Sequence, residues 1–234
     1  MASLSKLMSI AAEPRAWAPL RHGVAATMDH KHALDRFAFR SVVDVGANKG
    51  QFAAFAMAMW PDAKLHCFEP LPGPRAKLTA VTAGRAKIFD CALGVEDGAA
   101  DMHIASRDDS SSLLPLGEKQ KSLFNMTESG ALRVAVRRLD ACVPAAALTQ
   151  PSLLKIDVQG FELQVLNGAT DTLPAIDVIY AELSLVELYK GQALANEVIA
   201  LLEACGFMLA GVFNQSLGEG GEAVQADFLF TRRA

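Results

Sequence analysis

Long apolar runs, paired cysteines and an excess of positive charge are all missing from this chain of 234 residues. No stretch approaches the roughly 18 uninterrupted apolar residues that a membrane-spanning helix needs, so none is expected. Near the start, the apolar run from Leu7 to Ala12 is broken by Glu13, Pro14 and Arg15, too early for a secretory segment. The four cysteines (Cys67, Cys91, Cys142 and Cys205) are widely spaced and form no Cys-x-x-Cys pair. That excludes the usual zinc spacing and a disulfide framework, and leaves free thiols in a reducing cytoplasm as the expectation. A net charge of −4 argues against a broad nucleic-acid-binding face. Also absent is the Gly-x-Gly-x-x-Gly fingerprint of dinucleotide-binding folds.

What is present is a core-forming composition, 51% hydrophobic and rich in alanine, enough for one α/β domain. The chain is organised around Ser41-Val-Val-Asp-Val-Gly-Ala-Asn-Lys-Gly-Gln51. Ser41 to Val45 is a short β-branched run that reads as a buried strand closed by Asp44. Gly46 and Gly50 bracket a tight turn, after which Phe52, Phe55 and Met59 recur at helical spacing until Pro61. Strand, glycine turn and helix make half of a nucleotide-binding βαβ unit, and a side chain at either glycine is expected to obstruct a ligand's approach to the backbone. Glu69 ends the next apolar run, 23 residues after Gly46, where an acid binds a ribose. Asn48 stands where a dinucleotide fold places its middle glycine, and Asp44 adds a charge that repels pyrophosphate. A cationic cofactor without phosphate fits this loop better, namely S-adenosylmethionine. An ordinary βα turn is the bland reading.

The remaining strands follow in rhythm. Ala63–Phe68, Ala86–Cys91, Ser152–Asp157, Ile176–Leu183, Phe207–Phe213 and Ala226–Thr231 join the first to give a doubly wound, mostly parallel seven-stranded sheet with an antiparallel last strand. Residues 1–40 read as an N-terminal helical extension or cap, and 41–234 as the cofactor-binding domain. His22, His30 and His32 lie in the extension without a carboxylate or cysteine pattern to make a metal site, so a solvated or capping role is expected. An insertion over about 95–138 carries two antiparallel strands, Ala100–Ala105 and Ala131–Arg137, around a polar loop. That loop is a lid, a substrate wall or a surface insertion.

Asp44, Glu69, Asp90, Asp157 and Glu182 each fall at the expected C-terminal tip of a parallel strand, the edge where open α/β sheets bind ligands. Asp90 is either an acceptor for an adenine amino group or a turn-initiating residue. Asp157, with Glu182 second, is the candidate base for removing an acceptor hydroxyl's proton, or an anchor of the cofactor pocket. Glu162 is expected to cap the following helix or pair with Lys155. Tyr189 and Asn214 are possible pocket residues that spacing alone does not place.

Val43-Asp-Val-Gly-Ala-Asn-Lys-Gly-Gln-Phe52, Phe68-Glu-Pro70, Ala92-Leu-Gly94, Ser111-Ser-Leu113, Arg137-Arg-Leu-Asp140, Leu154-Lys-Ile-Asp-Val-Gln-Gly-Phe-Glu162, Ala181-Glu-Leu-Ser184 and Gln225-Ala-Asp227 occur in that order. Together they resemble the FkbM family of S-adenosylmethionine-dependent methyltransferases, from about Ser41 onward. The resemblance implies the class I, Rossmann-like methyltransferase fold and O-methylation of a sugar, glycan or natural-product hydroxyl. By position it implies that Asp44, Gly46, Ala47, Asn48, Gly50 and Glu69 hold the cofactor, with Asp90 and Ala92 near its adenine. Glu182-Leu-Ser184 offers one carboxylate and a hydroxyl where related enzymes hold a divalent cation, so no metal requirement is expected. An Asp157-Val-Gln-Gly turn also differs from the Asn-Pro-Pro-aromatic turn of base methylation, and no nucleic acid is expected as acceptor. An NAD-dependent oxidoreductase and a non-catalytic nucleotide-binding module are the alternatives.

Overall fold

Short β-branched and leucine-rich runs without polar alternation need burial on both faces, and a computed structural model of the chain places them at the centre of one sheet. The structure describes residues 13, 15 and 17–233. Seven strands lie in the order β3 (Ala86–Phe89), β2 (Lys64–Phe68), β1 (Ser41–Val45), β7 (Ser152–Ile156), β8 (Val178–Ser184), β10 (Ala223–Arg232) and β9 (Phe207–Leu217). Neighbours run parallel from β3 to β8, and β10 is antiparallel to both β8 and β9. The chain order reverses between β1 and β7, whose residues are buried throughout. A crevice at the carboxyl ends of these strands is the expected ligand position.

Helix α2 (Gln51–Met59) is apolar almost all round, and its Phe52, Ala53, Ala54, Phe55, Ala56 and Ala58 are buried. It stops at Trp60, which leaves the helical region ahead of Pro61. The N-terminal segment covers this helix. Its described part is shorter in helix than its composition suggests. Ala18–His22 and Met28–His30 are single 3-10 turns, and only α1 (Lys31–Leu34) is α-helical. Pro19 lies at the start of the first turn and a left-handed Gly23 ends it, so the turns do not fuse into one helix. Residues 1–12, 14 and 16 of the expected extension lie outside the described residues. Val24, Ala26, Met28, Ala33 and Leu34 pack with Phe52, Phe55 and Trp60 in one core cluster. The segment is thus part of the core, not an appendage.

The third strand ends at Phe89, short of the expected Cys91. Beyond it, β4 (Ala92–Leu93) turns away and pairs with β6 (Glu128–Arg137), which is antiparallel to β5 (Gly98–Ala105) in a separate three-stranded sheet. The polar loop between β5 and β6 contains an unforeseen helix, α4 (Glu118–Phe124). Leu116 and Met126 flank it and pack against Leu188 and Tyr189. The Gly117 N–H donates to Leu188 O at 2.8 Å, and a Cβ at Gly117 would lie 2.5 Å from that oxygen. The insertion is a packed wall.

Candidate active site

The glycine turn after β1 is shaped by protein contacts. Gly46 has φ +77°, and a Cβ there would lie 1.8 Å from the Asp157 carbonyl oxygen. A Cβ at Gly50, φ +91°, would press on Leu78 and Val81 of α3 (Pro72–Thr82). Close approaches within the chain therefore require both glycines, a constraint that adds to the ligand approach expected from sequence.

Every backbone N–H from residue 46 to 50 is spent inside the protein. Those of Gly46 and Ala47 donate to Phe68 O (3.2 and 2.9 Å), and that of Gly50 to Ala47 O (2.9 Å). The Asn48 N–H donates to Glu69 Oε2 at 2.9 Å and the Lys49 N–H to Asn48 Oδ1 at 2.7 Å. None remains to cradle a phosphate, which removes the basis for pyrophosphate binding at this loop.

Above the turn lies a cavity of about 330 Å³. Gly46, Ala47, Asn48, Glu69 and Ala92 line it, as expected, joined by Phe68, Leu71, Met102, Leu113 and Phe161 on its apolar side. Glu69 is buried and fixed by N–H groups on both oxygens, the second from Leu71 at 2.7 Å. Burial pushes its carboxyl up to about 7, against the lowering effect of those bonds. Gln51 Oε1 and Thr27 Oγ1, in side chains that line the cavity, are buried and make no hydrogen bond within the protein. An acid poised for hydroxyls, an apolar slot and orphaned oxygens that need donors fit S-adenosylmethionine, which brings ribose hydroxyls, an adenine and an ammonium group.

Three expected cofactor residues fall outside the cavity lining. Gly50 sits behind the turn. Asp90 is exposed, since the chain leaves the sheet at this point, and Cys91 and Ala92 line the cavity instead. Asp44 is fully buried behind the wall. Its register partner across β1 and β7 is Lys155, whose Nζ lies 3.2 Å from Asp44 Oδ1, 3.6 Å from Asp157 Oδ2 and 3.2 Å from Gly46 O, to which it donates. Burial raises the Asp44 carboxyl and alone would lower the Lys155 ammonium, but Asp44 and Asp157 hold that ammonium above its usual range. Asp44 is therefore paired with Lys155, which sequence reasoning had considered only as a partner for Glu162.

Asp157 and Glu182 are brought together by Gln159. Its Nε2 donates to Asp157 Oδ1 at 2.7 Å and to Glu182 Oε2 at 2.8 Å, the only amide orientation that sets donors against both carboxylates. Gln159 holds a left-handed backbone, φ +57°, pinned by Ser112 Oγ donating to its carbonyl at 2.7 Å. Tyr189 Oη lies 2.8 Å from Gln159 Oε1 and 2.9 Å from Ser110 O, and donates to one of them at a time. Burial, then the Asp157 charge, pushes the Glu182 carboxyl well above the usual range. Glu162 accepts the Val158 and Gly160 N–H groups at 3.2 and 3.0 Å, so it caps the turn and does not pair with Lys155. Burial takes its carboxyl up to about 7.

Two more cavities open at this pair. One of about 330 Å³ is lined by Thr27, His30, Lys155, Asp157, Tyr180, Glu182, Asn214 and Asp227. Another, of about 300 Å³, is lined by Arg107, Gln120, Phe124, Asp157, Gln159, Glu182 and Gln225 among others. Asp157 borders all three cavities. Tyr189 supports the Gln159 fork, while Asn214 lines the second cavity. His30 departs from the solvated or capping role expected of the histidines, since it lines both the first and second cavities. No local pattern signals this, because its partners Tyr180, Asn214 and Asp227 are distant in the chain.

A family model described as the methyltransferase FkbM domain matches residues 44–209. The chain is 31% identical over 170 residues to the 2-O-methyltransferase NoeI of Sinorhizobium fredii, covering 69% of this chain and 70% of that one. It is 32% identical over 193 residues to the 31-O-demethyl-FK506 methyltransferase FkbM of Streptomyces tacrolimicus, covering 71% and 72%. Identity to the hexuronic acid methyltransferase AglP of Haloferax volcanii is 25% over 142 residues, covering 60% and 54%.

Proposed function

The chain belongs to the FkbM methyltransferase family and is an S-adenosylmethionine-dependent methyltransferase, and from that premise we propose that its acceptor is a hydroxyl of a sugar, glycan or natural product. The relatives' names support transfer to oxygen and acceptors of this kind. The observation that carries the reading is the Asp157–Gln159–Glu182 fork at the junction of three cavities. When bound, the cofactor supplies a methyl group on a sulfonium whose leaving group is a neutral thioether.

The chain's own residues then have two tasks. Glu69 accepts from ribose hydroxyls, with Gly46, Ala47 and Asn48 beside it, while Gly50 and the Asp44–Lys155 pair support the loop from behind. The adenine end is walled by Cys91 and Ala92 in place of the exposed Asp90. Asp157 and Glu182 engage the acceptor. Glu182, whose carboxyl burial raises well above the usual range, lies beside the acceptor oxygen, and Asp157 accepts from the hydroxyl that is methylated. Alignment at this fork supplies much of the rate, since methyl transfer depends on an in-line approach. The described part of the N-terminal segment acts as a cap and about 95–138 as the wall of the acceptor side. Among the described residues no helix is long and apolar enough to cross a membrane, and we place the enzyme in the cytoplasm, with no nucleic-acid partner and no divalent cation.

The test is incubation with methyl-labelled S-adenosylmethionine and a panel of glycosides, uronic acids and hydroxylated natural products, with the methylated atom identified by NMR. Label on oxygen, unaffected by EDTA and abolished in Asp157→Asn, is expected. Label on nitrogen or carbon overturns the hydroxyl reading, and rescue of EDTA-treated enzyme by magnesium overturns the metal-free one.

A further inference from the structure

Transfer of a methyl group to a hydroxyl releases a proton, and the fork is poorly arranged to keep it. Asp157 Oδ1 already accepts from Gln159, and Oδ2 faces the Lys155 ammonium at 3.6 Å. Burial and the Asp157 charge raise the Glu182 carboxyl well above the usual range, and its Oε2 already accepts from Gln159. Across the same space, His30 lines the first and second cavities alongside Thr27, Lys155 and Asp157. Phe52 and Tyr180 pack on its ring with centroids 5.4 Å away, and Phe55 at 6.0 Å.

The contacts on the ring's polar edge all fall on Nδ1. Tyr180 Oη is 3.2 Å away, Asp227 Oδ2 3.4 Å and Asn214 Nδ2 3.4 Å. Tyr180 O–H and Asn214 Nδ2 both donate to Asp227 Oδ2, at 2.8 and 2.7 Å. Burial would raise the Asp227 carboxyl, but the hydrogen bonds from His30, Asn214 and Tyr180 hold it below the usual range. An ionised Asp227 only accepts, and Tyr180 spends its one proton on Asp227, so its oxygen presents a lone pair to the ring. Nδ1 must then carry the proton, which leaves the Nε2 lone pair as the ring's basic position.

On the reading that the acceptor is a hydroxyl, we propose that His30 is the catalytic base and that Asp227, with Tyr180, is the positioning group that fixes its tautomer. As the acceptor oxygen bonds to the methyl carbon, the electrons of its O–H bond remain on oxygen and the proton passes to Nε2. The carbon–sulfur bonding pair leaves with sulfur. The imidazolium so formed is stabilised by Asp227 through Nδ1–H, and water later removes the proton. Asp157 then orients the hydroxyl instead of keeping its proton. An imidazole suits this task because one ring nitrogen can take the proton while the other keeps its hydrogen bond. The charged and titratable groups facing His30 are Asp227 on β10, Tyr180 and Glu182 on β8, Lys155 on β7 and Asp157 just beyond it, Asp44 on β1 and the adjacent Asp29. His30, Asn214 and Asp227 all lie outside residues 44–209, so the family match does not assign them.

Two measurements test this, and the first needs no acceptor. Nitrogen-15 correlation spectra of histidine-labelled protein should show His30 in the Nδ1–H form in wild type and a mixed tautomer in Asp227→Asn. An Nε2–H form in wild type refutes the proposal and leaves the hydroxyl reading standing. The second is the pH profile of kcat/KM with an acceptor found in the panel above. His30→Gln should lose about 100-fold or more in kcat and lose the ascending limb, while S-adenosylhomocysteine affinity stays within about threefold. Asp227→Asn should keep the limb but move it toward lower pH. A wild-type ascending limb that survives in His30→Gln overturns the assignment in favour of the carboxylate.

Discussion

Replacing Lys155 by Met tests the buried charge pair behind the cofactor wall. Asp44 is fully buried, and neither carboxylate oxygen makes a hydrogen bond, so the ammonium 3.2 Å away is its main compensation. Coulomb attraction at that distance is about 5 kcal/mol at an effective dielectric constant of about 20. Desolvation offsets part of it in the intact pair. Removing only the lysine strands the carboxylate, and such losses run to about 3–5 kcal/mol. Asp44→Asn should cost less, about 1–2 kcal/mol, because Lys155 keeps Asp157 and the Gly46 carbonyl. The double variant should be more stable than Lys155→Met alone, with a coupling of about 2 kcal/mol or more. Urea denaturation with a constant m-value provides the assay. The pH dependence supplies a further signature. In Lys155→Met the Asp44 carboxyl rises further, so the native state binds more protons than the unfolded chain above the ordinary carboxylate range. Relative to wild type, the variant should therefore regain stability as pH falls, by at most about 1.4 kcal/mol per pH unit. A loss below about 1 kcal/mol, or a double variant that shows the full sum of both single losses, would refute the reasoning.

Gly46→Ala should cost about 3 kcal/mol or more, combining left-handed strain with the parting of the β1 and β7 tips, where the Asp157 N–H donates to Val45 O. Gly50→Ala presses on the movable Leu78 and Val81 side chains, with the Leu78 Cα at an ordinary 3.4 Å, and should cost about 1–2 kcal/mol in the same urea assay; equal losses would contradict the packing argument. Glu69→Gln should weaken S-adenosylhomocysteine at least about tenfold by calorimetry. Because the Glu69 carboxyl rises from 4.5 to about 7 on folding, the wild type loses stability as pH rises through that window. The Gln variant lacks this loss and should gain about 3 kcal/mol on wild type across it. A stability difference that does not change with pH would show that Glu69 is not buried as described.

Much of the scaffold was legible because it rests on local signals. The β-branched run 41–45, the left-handed glycines and Pro61 mark a strand, a turn and a helix stop without reference to the rest of the chain. Glu69, Asp157 and Glu182 were legible as candidates because ligands bind at strand ends in such a sheet, and all three line the cavities there. What escaped depends on register and distance. Lys155 opposes Asp44 only through the pairing of β1 with β7, which no spacing in either strand encodes. His30 meets Tyr180, 150 residues on, and its segment has no periodicity to set a face. Asp90 looked like a strand tip, but the pairing of Ala92 with Val136 draws the chain out of the main sheet just beyond it. Helix α4 is short and polar, and it is held by packing against Leu188 and Tyr189 more than by its own pattern.

Calorimetric titration of wild type and Glu69→Ala with S-adenosylhomocysteine and with NAD tests most directly whether this loop serves a phosphate-free cofactor. Micromolar binding of S-adenosylhomocysteine, about −8 kcal/mol, with loss in Glu69→Ala and no heat from NAD, is the expected result. NAD binding of comparable strength, or S-adenosylhomocysteine binding indifferent to Glu69, would contradict the account.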